Sequence, residues 1–193
     1  MQYEASDGAD CSPKYVSFDR MFNTFRDPVF AYLLARTGQR ESALDLLQDV
    51  FARAWGRPEA WLGEPESSQR YWLFAVAKNA VIDLYRRNTT RLVALSHLQA
   101  HNVRQQTETS AESQVLREEL LGDVQRAIAN LPAELRIPLV MQIVGGMNSN
   151  EIHEVLGIPA GTVRYRLSMA RRRIRAEMEE QDGALEAGVD DRQ

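Results

Sequence analysis

Apolar residues in this chain recur at three- and four-residue spacing, and nowhere do they alternate over a run long enough to make a strand. No Asn-Gly or Asp-Gly turn joins two β-branched runs either. An all-α chain is therefore expected, cut into segments by proline and glycine. Residues 18–37 read as a first helical stretch, punctuated by Asp27-Pro28, with Pro28 suited to the first turn of a continuing helix, and closed by Gly38. Over residues 42–55, Leu44, Leu47, Phe51 and Ala54 share one face. Pro58 and Pro65 bracket a loop rich in Gly, Glu and Ser. Residues 69–87 then carry a stripe of Leu73, Val76, Ala77, Ala80 and Leu84.

Beyond this point the periodicity fades. Residues 88–110 are polar, rich in Gln and Thr, and suit a flexible linker. Thr109 and Glu112 make a capping box ahead of a helix with Leu116, Leu120, Val124, Ala127 (or Ile128) and Leu131 on one side. Leu131-Pro132 breaks it, and residues 133–144 form another helix that Gly145-Gly146 stops. With 193 residues the chain has room for one full domain or two small ones. The division expected is a polar leader (1–16), a helical N-terminal unit (17–88), a linker (89–110), a helical C-terminal unit (111–179) and an acidic tail (180–193).

Several functional classes drop out. No apolar run approaches the ~18 residues a membrane span needs, and the start of the chain lacks the build of a signal peptide, so a cytoplasmic protein with no membrane insertion of its own is expected. The single cysteine, Cys11, excludes an internal disulfide and a Cys-based zinc cluster, and reads as an incidental surface thiol. His97 and His101 have helical ligand spacing, but Leu98 stands where a zinc hydrolase needs its glutamate, and no third ligand follows. No phosphate-binding glycine loop is present around Gly145, Gly146 or Gly157. Neither metal, cofactor nor catalytic group is expected.

The formal net charge of −4 argues against a nucleic-acid binder until its distribution is examined. Residues 158–176 hold six arginines and no acid. Residues 69–92 hold Arg70, Lys78, Arg86, Arg87 and Arg91 against the lone Asp83. The acids gather instead in residues 177–193, seven against one base. Phosphate binding depends on a local basic face rather than on the total, although an arginine run can also be no more than a solvated helix surface.

Residues 148–178 have the layout of a helix-turn-helix. Asn148 caps a short helix with Glu151 three residues on, and Ile152, Val155 and Leu156 face inward. Gly157 can take the left-handed conformation that permits the sharp turn, and Ile158 fills the corner. A second helix opens at residues 159–162, with Val163, Leu167, Ala170 and Ile174 as its buried stripe. Thr162, Arg164, Tyr165, Arg166 and Ser168 then fall near the helix N-terminus on the side that meets base edges, while Arg171, Arg172 and Arg175 suit phosphates.

Taken with the earlier segments DLLQDVFARAW and YWLFAVAKNAVIDLYRR, followed after a linker by LPAELRIPLVMQIVGGMNSNEIHEVLGIPAGTVRYRLSMARRRI, the chain resembles the extracytoplasmic-function (ECF) class of bacterial RNA polymerase sigma factors. The likeness runs over residues 18–178. It implies core RNA polymerase and promoter DNA as partners, an anti-sigma factor as inhibitor, and no enzymatic activity. It places Asp45, Leu46, Gln48 and Asp49 on the clamp helices of the largest polymerase subunit. The flap of the second-largest subunit is the further contact it implies. Residues 69–87 resemble the element that reads and opens the −10 region, where Asn79 and Asp83 suit an exposed base edge, and Lys78, Arg86 and Arg87 suit the backbone. Tyr71 and Trp72 are placed to stack on an unpaired base, with a core position as the alternative for Trp72. The helix-turn-helix would read the −35 element. His153 and Tyr165 stand where the family often has small residues, and Ser149 where it often has an aromatic. The rival reading is a stand-alone regulator that binds its operator as a dimer.

Overall fold

A computed structural model describes residues 13–96 and 118–190, with side chains described over 13–89 and 124–179. Its helices are α1 (Pro13–Thr37), α2 (Arg40–Gly56), α3 (Glu66–Ser96), α4 (Glu118–Asn130), α5 (Ala133–Ile143), α6 (Ser149–Leu156) and α7 (Ala160–Asp190). A short 3-10 turn, Pro58–Ala60, lies between α2 and α3, and no strand occurs among the described residues.

Three helices outrun the expected boundaries. α1 takes in residues 13–16 of the leader, α3 continues through residues 89–96 of the expected linker, and α7 continues to Asp190 through most of the acidic tail. Residues 89–96 contain neither Pro nor Gly, and extending a helix already under way adds one hydrogen bond per residue without a new nucleation cost. Residues 97–110, the Thr109–Glu112 capping box, Leu116, His97, His101 and Cys11 lie outside the described residues, as does the side chain of Leu120. Pro28 also differs from expectation. It sits well inside α1 rather than in a first turn, at the cost of the bond its missing N–H would make to Thr24. Burial of Phe25 and Val29 on either side outweighs that loss.

The first three helices enclose an aromatic core. Phe22 meets Phe51 at 4.8 Å between ring centroids and Phe18 meets Trp55 at 5.0 Å, both edge-to-face, the geometry that ring quadrupoles favour. In α2 the buried set is Ala43, Leu46, Val50, Phe51 and Ala54, with Leu44 exposed and Leu47 half-buried. Phe51 and Ala54 thus lie inward as expected, while Ala43, Leu46 and Val50 take the inward positions in place of Leu44 and Leu47. Positions 43/46/50 and 44/47/51 fit a 3.6-residue period equally well, and packing of α2 against both α1 and α3 decides between them.

The C-terminal helices pack an aliphatic core from Leu135, Leu139 and Met141 of α5, Ile152 and Val155 of α6, and Val163, Leu167 and Ala170 of α7. This core is continuous with the first one, because α5 packs on α1 and α6 on α3. At that junction Tyr32 is fully buried, edge-on to Phe74, with a hydroxyl that has no hydrogen-bond partner. Burial pushes its phenol up to about 12, against the opposing influence of Arg36.

Candidate nucleic-acid interface

On α2, Asp45, Gln48 and Asp49 are exposed along one side, as a protein-docking face requires. Leu46 is not part of that face: it is 3% exposed and belongs to the core, so its assignment to polymerase contact is corrected. It directly follows the exposed Asp45 in sequence but lies 100° around the helix from it.

The outer side of α3 presents Asn79, Arg86 and Arg87, with Lys78 and Asp83 half-buried beside them. Asp83 is held from two directions: Arg53 of α2 lies 3.9 Å from its carboxylate, and Arg87 Nε donates to its backbone oxygen at 3.3 Å. A shallow groove lined by Ile82, Tyr85, Arg86 and Thr89 runs along this helix. Tyr85 closes one side by donating its hydroxyl hydrogen to the Arg36 carbonyl at 2.8 Å. Tyr71 is exposed, whereas Trp72 is half-buried and packs against the core.

The loop before α3 is built on Trp61, a residue the sequence reading passed over. Its side chain is fully buried and its indole N–H donates to the Ala54 carbonyl at 2.7 Å, satisfying the end of α2. From α3, Gln69 reaches back to the carbonyls of Trp61 and Glu64 at 3.2 and 2.9 Å. A tryptophan alone in a polar Pro- and Gly-bounded loop was the available signal, since so large an apolar side chain is seldom left in water.

The helix-turn-helix is built as its residues direct. Asn148 Oδ1 accepts from the backbone N–H groups of Asn150 and Glu151, and Glu151 Oε2 accepts from the Asn148 N–H at 2.7 Å, a complete capping box. Gly157 ends α6 at φ 72°, and its N–H donates to the His153 carbonyl at 2.8 Å. His153 then fastens the turn a second time. Its Nδ1 lies 2.7 Å from the Ile158 carbonyl, which can only accept, so that nitrogen carries the proton.

Along α7, Val163, Leu167 and Ala170 are buried and Ile174 half-buried, leaving Arg164, Tyr165, Ser168, Arg172 and Arg175 exposed. Tyr165, at 64%, is among the most exposed large side chains described. Thr162 and Arg166 are half-buried. Arg171 differs from its neighbours, because it donates to the Gln142 side chain of α5 and so braces the domain. Among the described residues no cluster of three metal-ligating side chains occurs, and no helix is long and apolar enough to cross a membrane.

The sequence matches family models for Sigma-70 region 2 over residues 21–91 and Sigma-70 region 4 over residues 121–174. It is 34% identical over 152 residues to the ECF RNA polymerase sigma factor SigL of Mycobacterium tuberculosis, covering 79% of this chain and 83% of that one. Against the ECF RNA polymerase sigma factor SigM of Bacillus subtilis the identity is 26%, over 83% of this chain and 94% of that one. The fold is similar to that of the sigma factor RpoE of Bartonella quintana in its co-crystal with the anti-sigma factor NepR, with a TM-score of 0.61 at 20% identity over 84% of this chain and 97% of that one. Two region models in the right order, and a relative matched over most of its length, place this chain among the ECF RNA polymerase sigma factors.

Proposed function

We propose that this chain binds core RNA polymerase and directs it to promoters with separate −10 and −35 elements. It acts by binding rather than by catalysis, in the cytoplasm where polymerase works. Asp45, Gln48 and Asp49 of α2 would meet the clamp helices of the largest subunit, and the C-terminal unit would meet the flap of the second-largest. On α3, Asn79 and Asp83 would contact exposed base edges, Tyr71 and Trp72 would flank an unpaired base, and Lys78, Arg86 and Arg87 would hold the backbone. On α7, Thr162, Arg164, Tyr165, Arg166 and Ser168 would face the −35 bases, with Arg172 and Arg175 on phosphates and Arg171 supporting them from its bond to α5. An anti-sigma factor is the expected inhibitor, as the RpoE–NepR co-crystal shows for that relative.

The observation that carries this reading is the capped helix-turn-helix with an exposed arginine-rich second helix, preceded by a helical unit that bears its own basic helix. Run-off transcription with purified core polymerase on genomic fragments tests it directly. Transcripts that depend on this chain are expected from a subset of fragments. Tight operator binding as a dimer without polymerase, and no transcript with it, would instead establish the stand-alone regulator. Within the active complex, Arg164→Ala should cost about 1–3 kcal/mol on the preferred −35 sequence, whereas Arg172→Ala should weaken all sequences alike.

A further inference from the structure

The outer side of α7 carries a side chain whose chemistry the arginines around it do not share. Val163, Leu167 and Ala170 turn inward, so Gly161, Arg164, Tyr165 and Ser168 gather on the exposed side at helical spacing. Tyr165 is 64% exposed, and neither its ring nor its hydroxyl has a partner among the described residues. Helix side chains lean towards the N-terminus, over the turn that precedes their own Cα. Arg164 shows that lean: a Cβ built on Gly161, three residues earlier, would stand 4.0 Å from its Nη2. Gly161 also lies four residues before Tyr165, so the same lean carries the phenol ring over this bare first turn, beside the guanidinium. Both groups thus project at the end of α7 that meets base edges when a helix-turn-helix docks. Gly161, with no side chain of its own, leaves them room to approach.

The two groups call for different partners. A guanidinium matches the O6 and N7 acceptors of guanine. A phenol ring finds no base face to stack on in a closed duplex, where each base covers the next. Base-pair edges in the major groove offer it one apolar group, the C5-methyl of thymine. Phosphates are better matched by the exposed charges of Arg172 and Arg175 than by a neutral hydroxyl.

We infer that Arg164 and Tyr165 together read a two-base step of the −35 element, the guanidinium bonding a guanine while the ring packs on the C5-methyl of the neighbouring thymine. This deepens the sigma-factor reading and rests on it. A regulatory consequence follows, because 5-methylcytosine carries the same methyl at the same place in the groove. Where cytosine stands in for that thymine, its methylation should strengthen recognition.

The test uses holoenzyme, this chain with core polymerase, on a promoter mapped by run-off transcription. Each −35 thymine, on either strand, is replaced in turn by deoxyuridine, which lacks only the methyl. One replacement should weaken wild-type binding about fourfold, the worth of one buried methyl-sized group. Tyr165→Ala should bind the thymine and deoxyuridine duplexes alike, whereas Tyr165→Phe, which keeps the ring, should retain the wild-type ratio. At the adjoining guanine, 7-deazaguanine removes the N7 acceptor. It should weaken wild type on the order of tenfold and leave Arg164→Ala unaffected. Cytosine placed at the sensitive thymine position should gain about fourfold on C5-methylation with wild type, and nothing with Tyr165→Ala. A wild type indifferent to every deoxyuridine or to 7-deazaguanine overturns the inference, as does a methyl preference that survives Tyr165→Ala. Loss of that preference in Tyr165→Phe overturns it too, because the hydroxyl would then be the reading group. Each of these results leaves the sigma-factor reading standing. Absence of any transcript that depends on this chain is what overturns that reading, and the inference with it.

Discussion

The two halves of this molecule solve the same packing problem with different materials. All three tryptophans, all six phenylalanines and every tyrosine except Tyr165 lie before residue 86. The N-terminal unit is accordingly locked by edge-to-face rings and by the indole of Trp61, which reaches the end of α2. The C-terminal unit has an aliphatic core and obtains its shape from helix ends: the Asn148–Glu151 capping box, the left-handed Gly157 and the His153–Ile158 staple. Large rings define a unit by volume, whereas caps define it by direction. A recognition helix needs direction, because its side chains must meet base edges at a set angle. The single aromatic of that unit is spent on its surface, at Tyr165.

The contrast is broken most severely at Trp61. Trp61→Ala should cost about 3–5 kcal/mol through the cavity and the lost hydrogen bond, and urea denaturation should show the N-terminal unit unfolding first. A cost below about 1 kcal/mol would mean the aromatic cluster does not determine that unit's stability. Tyr32 gives the next largest effect. Its phenol titrates at about 12 in the folded chain against an ordinary value of 10.0. The folded value is raised, so the folded state holds its proton longer than the unfolded one. Stability is therefore complete below pH 10 and falls as the pH rises towards 12, by at most about 2.7 kcal/mol from this group. Tyr32→Phe should remove that alkaline loss and leave neutral stability unchanged or improved, since the hydroxyl has no partner to lose. Melting curves from pH 8 to 12 decide the matter.

Cap variants sharpen the other side of the contrast. Asn148→Ala should cost about 1 kcal/mol and Gly157→Ala about 1–2 kcal/mol, both within the C-terminal unit. His153→Ala should cost less in stability yet relax discrimination among −35 sequences, with the salt dependence of binding unchanged. A loss of salt dependence by about one ion would make His153 a phosphate contact instead. The smallest stability change is expected for Asp49→Arg, under about 0.5 kcal/mol on an exposed helix face, accompanied by weakened binding to core polymerase in a pull-down. A large stability loss with normal core affinity would make that face structural.

The residue pattern alone was sufficient for the all-α class, for the helix-turn-helix and for its buried stripe, because those features are local. Periodicity, an Asn cap with Glu three residues on, and a glycine that can adopt positive φ each act within a turn or two of chain. The exposed positions of Arg164, Tyr165, Ser168, Arg172 and Arg175 followed from the same arithmetic.

What depended on partners distant in the chain was decided only in three dimensions. The inward turn of Leu46 and outward turn of Leu44 depend on α2 being wedged between two helices, since the period allows either set. Trp61 anchors its loop because the end of α2 offers a carbonyl at the right place, and the exposed Arg171 bonds Gln142 because α5 packs alongside α7. The pairing of Arg70 with Glu151, 81 residues apart, was beyond any local rule. A charge reveals in sequence that it wants a partner, but packing chooses which one, because burial makes the nearest opposite charge the alternative to lost water.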